Sequence, residues 1–245
     1  MSTESAPAIT GPGGRPLRTA IVERVFDHAP DTRSLFLAPA DKGEIHFLPG
    51  QFISLSIPLG DEIRSRPYSI ASREEDGAPY EICFNRVAHG RGAAWLFERA
   101  AGDTIGFSGP FGAFTLERAP AAETIFIAAA TGVAPIRPMI HRAAAGAHLA
   151  MTLLSAAPSP ERILYRAEFE QLAARDAGFR FETIIAPEDD LYRRIIEEGE
   201  RRWVRGDANR TRHFYICGVG RGVIALRDLF RAAGYERRAV HYEQW

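Results

Sequence analysis

The hydrophobic pattern of this chain changes period near its middle, and that change constrains the fold more than any other feature. From Leu17 to about Glu117 the strand-like runs are short, at 17–26, 32–38, 51–57, 67–72, 79–86 and 104–109. Turn signals break them at Pro49-Gly50, Pro58-Leu59-Gly60, Asp76-Gly77 and Gly102-Asp103. Short strands with regular turns predict a small antiparallel β-barrel, interrupted by one helix over 93–99. After a hinge-like stretch at 118–122 the pattern is different. Thr124 to Ala129 is continuously apolar, apart from its first residue, as a buried parallel strand would be. Helices over 134–145, 164–176, 189–203 and 221–233 then alternate with strands over 148–154, 179–185, 213–217 and 238–243. Such alternation predicts a parallel sheet wound on both faces. The chain therefore reads as a β-barrel domain at 17–118 and an α/β nucleotide domain at 122–245. A Gly-, Pro- and Ser-rich leader at 1–16, expected to be flexible, precedes them.

Composition narrows the function classes. A length of 245 residues suits two domains of about 100–125 residues each. A net charge of −1 gives no global electrostatic case for nucleic acid or membrane binding. Lys42 is the only lysine, so the arginine richness reads as a compositional bias. The two cysteines, Cys83 and Cys217, are too few for an ordinary iron–sulfur cluster. No Cys/His spacing suggests zinc, and no metal site is expected. No apolar run reaches the roughly 18–20 residues needed to span a bilayer. A cytoplasmic, reducing setting is the expectation.

Three segments carry chemistry. The first is Arg66-Pro67-Tyr68-Ser69 on a candidate strand. Arg66 is a permanent cation suited to phosphate. Tyr68, two positions on, lies on the same strand face and could cover an aromatic ring, while Ser69 points to the opposite face. By spacing alone the segment reads first as a surface strand. The second is Ala128 to Pro135, between a buried strand and a helix, where small residues and a helix N-terminus suit a pyrophosphate. The alternative there is a tight turn packed with alanines. The third is Tyr215-Ile216-Cys217-Gly218-Val219-Gly220-Arg221-Gly222, which also ends a strand and opens a helix but does not complete a G-x-G-x-x-G fingerprint.

Taken in order, these segments resemble the ferredoxin–NADP⁺ reductase family. Arg66-Pro67-Tyr68-Ser69 matches its R-x-Y-S motif, and Gly109-Pro110-Phe111-Gly112-Ala113-Phe114 its G-P-[FY]-G-x-F segment. Thr131-Gly132-Val133-Ala134-Pro135 matches T-G-I-A-P, and Cys217-Gly218 matches the C-G turn. The tail, His241 to Trp245, looks like the family's terminal E-x-aromatic sequence. The resemblance implies an FAD-binding barrel followed by a Rossmann-like NAD(P)-binding domain. It implies that Arg66 holds flavin phosphate, Pro67 and Tyr68 lie along the flavin, and Ser69 hydrogen-bonds near flavin N5. Phe84, Asn85, Arg86 and Val87 would line the ribityl chain. Gly90, Arg91, Gly92, Ala93 and Ala94 would present backbone N–H groups to the pyrophosphate at the N-terminus of the 93–99 helix. Thr131 to Pro135 and Cys217 to Gly220 would hold the nicotinamide nucleotide. Cys217 and Glu243 would flank the nicotinamide, and Trp245 would stack on the flavin and move aside. Ser69, Cys217 and Glu243 are thus the expected catalytic set.

The implied activity is electron transfer from NAD(P)H through FAD to a separate acceptor, a ferredoxin or an oxygenase component. A small acceptor such as free flavin, ferric chelate or quinone is an alternative, as is a flavin-binding redox sensor or electron-transfer subunit. Three departures from the family pattern matter. Ala93 and Ala94 stand where members often have Ser or Thr, and Ala128 and Ala130 where many have Gly. Pro158 and Ala186-Pro187 stand where NADPH-using relatives often have Arg and Ser-Arg, and Glu188-Asp189-Asp190 follows. Carboxylates accept from a ribose 2′-hydroxyl but repel a phosphate, which favours NADH unless Tyr192, Arg193 and Arg194 reverse it. Arg201, Arg202, Arg205, Arg210 and Arg212 form a basic stretch, either a dock for an acidic carrier protein or a solvated surface.

Overall fold

The computed structural model describes residues 16–86, 90–118, 121–146 and 150–245. Val87 and His89, the residues of the leader up to Arg15, and part of the 118–122 stretch lie outside them. The described chain divides into two compact units. One holds the residues up to Phe47 together with Gln51–Gly112, and the other Leu48–Gly50 with Ala113–Trp245.

The first unit is a six-stranded antiparallel sheet of β1 (Arg18–Ala29), β2 (Thr32–Pro39), β3 (Phe52–Leu59), β4 (Glu62–Ser69), β5 (Tyr80–Asn85) and β6 (Thr104–Phe111). Their spatial order is β4-β3-β6-β1-β2-β5. A bridge between Ile70 and Ile82 brings the chain leaving β4 against β5 and closes the sheet towards a barrel. Its interior is filled by Val22, Leu35, Leu37, Leu55, Ile57, Ile82, Phe84 and Phe107. The period-2 alternation of β-structure puts these on one face and polar residues on the other.

Several boundaries differ from the sequence reading, as where the strand expected over 148–154 runs over Met151–Ala157, and two in the first unit bear on the site. The fourth strand runs over Glu62–Ser69, not 67–72, and pairs with β3 through a tight turn. Glu62 to Pro67 are all exposed, so this edge strand lacks the apolar alternation that marks a strand in sequence. Pro67 is tolerated there because an edge strand needs fewer ladder donors. Helix α1 spans Arg91–Phe97, not 93–99.

The second unit is a five-stranded parallel sheet of β7 (Thr124–Ala129), β8 (Met151–Ala157), β9 (Phe179–Ile185), β10 (His213–Gly218) and β11 (Val240–Gln244). Its order is β11-β10-β7-β8-β9. The connecting helices are α2 (Val133–Ala144), α3 (Arg166–Arg175), α4 (Leu191–Trp203) and α5 (Arg221–Ala232). Ile125, Ile127, Phe214 and Ile216 pack with Ile195, Leu226 and Phe230 of α4 and α5. The chain builds outwards from β7 to β8 and β9, then returns to the other side of β7 as β10. The reversal leaves a topological switch point between β7 and β10, where open α/β sheets bind ligands beyond the carboxyl ends of their strands.

Candidate functional site

In the first unit, alternate residues of the exposed edge strand β4 wall a cleft. Glu62, Arg64, Arg66 and Tyr68 line it together with Leu59 and Gly90–Ala93, around a volume of about 500 Å³. The β-period places these four β4 side chains on one face, so one phenol and two guanidiniums follow one another along the strand. Arg91 of α1 adds a third guanidinium to the lining. Gly92 of α1 faces Ile57 and the Arg66 side chain, which a Cβ there would meet at ordinary contact distances of 3.5 and 3.6 Å. Tyr68 meets Phe84 edge to face at 5.6 Å, and burial pushes its phenol up to about 12. Ser69 points the other way and is buried, and its hydroxyl has no hydrogen-bond partner. A buried hydroxyl left without a partner is a costly group that a ligand atom can satisfy. A cationic cleft with an aromatic wall fits a phosphorylated aromatic cofactor such as a flavin nucleotide.

Several expected roles are narrowed by the local structure. Because α1 starts at Arg91, Ala94 is inside the helix and its amide donates to Gly90 O at 3.0 Å. It therefore has no free N–H to offer a pyrophosphate. Phe84 lies in the barrel core. The Asn85 side chain accepts from Thr32 Oγ1 at 3.0 Å, and the Arg86 guanidinium sits 4.5 Å over the Phe97 ring.

In the second unit, two turns flank the switch point. Ala130–Gly132 forms a 3₁₀ turn that leads directly into α2. Its close approach to β10 requires glycine, because a Cβ on Gly132 would lie 2.2 Å from Cys217 O. Ala130 has φ 49°, the left-handed region that a Cβ-bearing residue enters at a cost. The expected helix start at 134 is thus one residue late, and the Val133 amide is engaged by Ala130 O and Thr131 O. On the opposite side, Gly218 ends β10 and Gly220 precedes α5. Tyr192 of α4 lies against Gly218 and Gly222 of this turn region. A Cβ on Gly218 would meet its hydroxyl at 2.3 Å, and one on Gly222 its ring at 2.0 Å.

The parallel ladder sets Cys217 beside Glu243. Cys217 is fully buried, and burial with the Glu243 charge nearby keeps its thiol neutral by raising its pKa far above the usual range. Burial pushes the Glu243 carboxyl up to about 7, and its Oε2 is buried without a hydrogen-bond partner. A carboxyl with that pKa can hold or release a proton near neutrality. Trp245 is tied to the same turn by its backbone: its N–H donates to Gly218 O at 3.1 Å, and its O accepts from Gly220 N–H at 3.2 Å. Its residue is 38% exposed.

The folded second unit thus brings Thr131–Pro135, Cys217–Gly220, Glu243 and Trp245 to one end of one sheet. Ser69, the third member of the expected catalytic set, belongs to the first unit. Sequence reading missed Glu62 and Arg64, because a charged edge strand has no apolar signature. It also left open the arginines near the acidic run. Arg193 pairs with Asp190 at 2.7 Å and Glu197 at 2.5 Å, and Arg194 with Glu197 at 3.5 Å. Pro158 is half-buried, Ala186 buried, and Pro187, Glu188 and Asp189 exposed. The basic stretch is likewise paired internally: Arg201 and Arg202 with Glu198, Arg205 with Glu200, and Arg212 with Glu123 and Asp207. Arg210 donates to the carbonyls of Ala233 and Asp207. Each of these guanidiniums is thus engaged by a carboxylate or a carbonyl of the same unit.

A cationic flavin-type cleft on an antiparallel barrel, with a switch-point site on a following parallel sheet, defines a two-domain flavin–nicotinamide oxidoreductase. Family models agree: residues 20–116 match an oxidoreductase FAD-binding domain and residues 126–225 an oxidoreductase NAD-binding domain. Ferredoxin–NADP reductase B of Sorangium cellulosum is 33% identical over 89% of this chain and 93% of its own. The reductase subunit of an aromatic O-demethylase from Amycolatopsis is 32% identical, covering all of this chain and 73% of its own. The toluate 1,2-dioxygenase electron transfer component of Pseudomonas putida is 27% identical over 92% of this chain and 67% of its own. In fold, the chain resembles a ferredoxin NADP⁺ reductase from Neisseria gonorrhoeae solved with FAD and NADP, at a TM-score of 0.76 and 18% identity, covering 93% of this chain and 98% of that one. The chain belongs to the ferredoxin–NADP⁺ reductase family.

Proposed function

We propose that this protein takes electrons from NADH, passes them through FAD, and delivers them to a separate electron-carrier protein such as a ferredoxin or an oxygenase component. The observation that carries this reading is the Cys217–Glu243 pair at the carboxyl end of the parallel sheet, beside the Gly218–Gly220 turn. Bound FAD would supply a group that accepts a hydride and gives electrons up singly, which connects a two-electron donor to a one-electron acceptor.

The chain's own residues do the rest. Arg66 and Arg91 neutralise cofactor phosphate, while Tyr68 offers the ring face that positions an aromatic cofactor. Ser69 donates its unsatisfied hydroxyl to a ring heteroatom. Gly132 and Gly218 let the two turns and Tyr192 pack closely at the switch point, beside which the dinucleotide binds. The neutral Cys217 thiol packs against the nicotinamide without placing a charge there. Glu243 holds a proton near neutral pH and offers it within the same site. Trp245 covers the turn until dinucleotide arrives.

The preference for NADH rests on charge. Arg193 and Arg194 are occupied by Asp190 and Glu197, and Glu188 and Asp189 stand exposed beside them. An added 2′-phosphate would meet net negative charge there. The Sorangium relative is named for NADP, but these local charges belong to this chain. A protein acceptor is favoured by the names of the relatives, which include electron-transfer components of oxygenases. Steady-state kinetics test both points. A kcat/KM for NADH at least tenfold above that for NADPH is expected, with ferredoxin-type proteins outpacing ferric chelates and quinones. An NADPH preference would refute the charge argument, and equal turnover with every small oxidant would refute the protein acceptor.

A further inference from the structure

Arg64 has no place in any of the motifs, yet it lies in the same cleft and on the same strand face as Arg66 and Tyr68. Residues on that face recur every two positions, about 7 Å apart along a strand. If Tyr68 meets the flavin ring and Arg66 its phosphate, the next position along the strand is the one a longer cofactor reaches. FMN ends at its single phosphate. FAD continues into a second phosphate and an adenosine. Arg64 thus lies one same-face step beyond Arg66, on the side away from Tyr68.

Three observations place Arg64 for that task. The Glu62 carboxylate, 2.5 Å away, engages one terminal nitrogen of its guanidinium along the cleft wall, whereas all three nitrogens of Arg193 are engaged by carboxylates. Leu59 supplies apolar lining at the same end. Across the cleft Arg91 reaches towards the β3–β4 turn, where a Cβ on Gly60 would lie 3.7 Å from its guanidinium. Three guanidiniums and one carboxylate leave a balance of two positive charges in the lining, and a diphosphate diester carries two negative ones. The chain has Ala93 and Ala94 in its phosphate segment and so lacks hydroxyl donors from those two side chains. Guanidiniums on the facing strand carry donors of the charge-assisted kind instead.

We propose that Arg64 is a specificity-determining residue that binds the adenosine-side phosphate of FAD and makes this protein select FAD over FMN. The proposal rests on the reading that this cleft holds the flavin cofactor. The test is flavin affinity of the full-length apoprotein, followed by quenching of flavin fluorescence, for wild type, Arg64→Gln and Arg66→Gln. The exposed position of Arg64 makes its replacement compatible with folding, and a thermal melt of each apoprotein checks this. Wild type is expected to bind FAD more tightly than FMN. Arg64→Gln is expected to weaken FAD about tenfold and leave FMN within twofold, whereas Arg66→Gln weakens both. An FAD affinity unchanged by Arg64→Gln, or equal losses for FAD and FMN, would overturn the role of Arg64 while leaving the flavin cleft intact. Failure of wild type to bind either flavin would instead overturn the underlying assignment.

Discussion

Ala130 is the residue at which this chain most visibly departs from conformational ease. Its φ of 49° puts a Cβ-bearing residue in the left-handed region, at the turn that opens the dinucleotide site. Replacement by glycine removes that steric cost, and Ala130→Gly should stabilise the protein by about 0.5–1 kcal/mol in urea denaturation. An unchanged or lower midpoint would contradict the strain. Gly132 is the reverse case. Its missing Cβ is what lets the turn approach Cys217 O, so Gly132→Ala should cost about 1–3 kcal/mol from overpacking. Glu243 gives a prediction with a pH sign. Its folded pKa of about 7 lies above the ordinary 4.5. Between those values the folded state binds more protons than the unfolded one, so stability falls as pH rises through that window. Relative to wild type, Glu243→Gln should therefore gain in melting temperature between pH 5 and pH 8. Parallel pH profiles for the two proteins would show that Glu243 titrates normally.

Helices α2 and α3 are joined by a polar cluster that sequence could not reveal. Arg137 donates to both Glu168 oxygens at 2.8 and 3.0 Å, and His141 bonds the same carboxylate. Arg137 also lies 4.5 Å over the Tyr165 ring. Burial alone would push Glu168 up, but the hydrogen bonds from His141 and Arg137 outweigh it and hold the carboxyl at about 2. The stabilisation is thus present above the ordinary pKa near 4.5 and is lost as pH falls towards 2. Glu168→Gln should cost about 1–3 kcal/mol at neutral pH, and the gap from wild type should close on acidification. A gap that persists to the lowest measurable pH would locate the effect in packing instead. At this scale sequence reading succeeds where burial writes a pattern. The continuous apolar run of β7 and the alternation of strands and helices after it are both visible. It fails at β4, whose residues from Glu62 to Pro67 are all exposed. It also misplaces the start of α1, since Gly90-Arg91-Gly92 carries no capping side chain and none forms a cap hydrogen bond.

For the whole molecule, the two-part architecture was legible because antiparallel and doubly wound sheets leave different hydrophobic periods. The site was legible in part. Arg66, Tyr68, Cys217 and Gly218 stand in local motifs, so order along the chain announces them. Arg64 does not, because its relevance comes only from sharing a strand face with Arg66 at the cleft. The pairing of Cys217 with Glu243 also needs the parallel ladder, which joins residues far apart in sequence. Among the described residues no helix is long and apolar enough to cross a membrane. The central claim is that these two units form a flavin enzyme reduced by a nicotinamide dinucleotide. The most direct test is an anaerobic titration of the FAD-reconstituted protein with NADH, followed by the flavin absorbance band. One FAD per chain and complete bleaching by stoichiometric NADH are expected. A protein that binds no FAD, or whose bound FAD stays oxidised in excess NADH and NADPH alike, would contradict it.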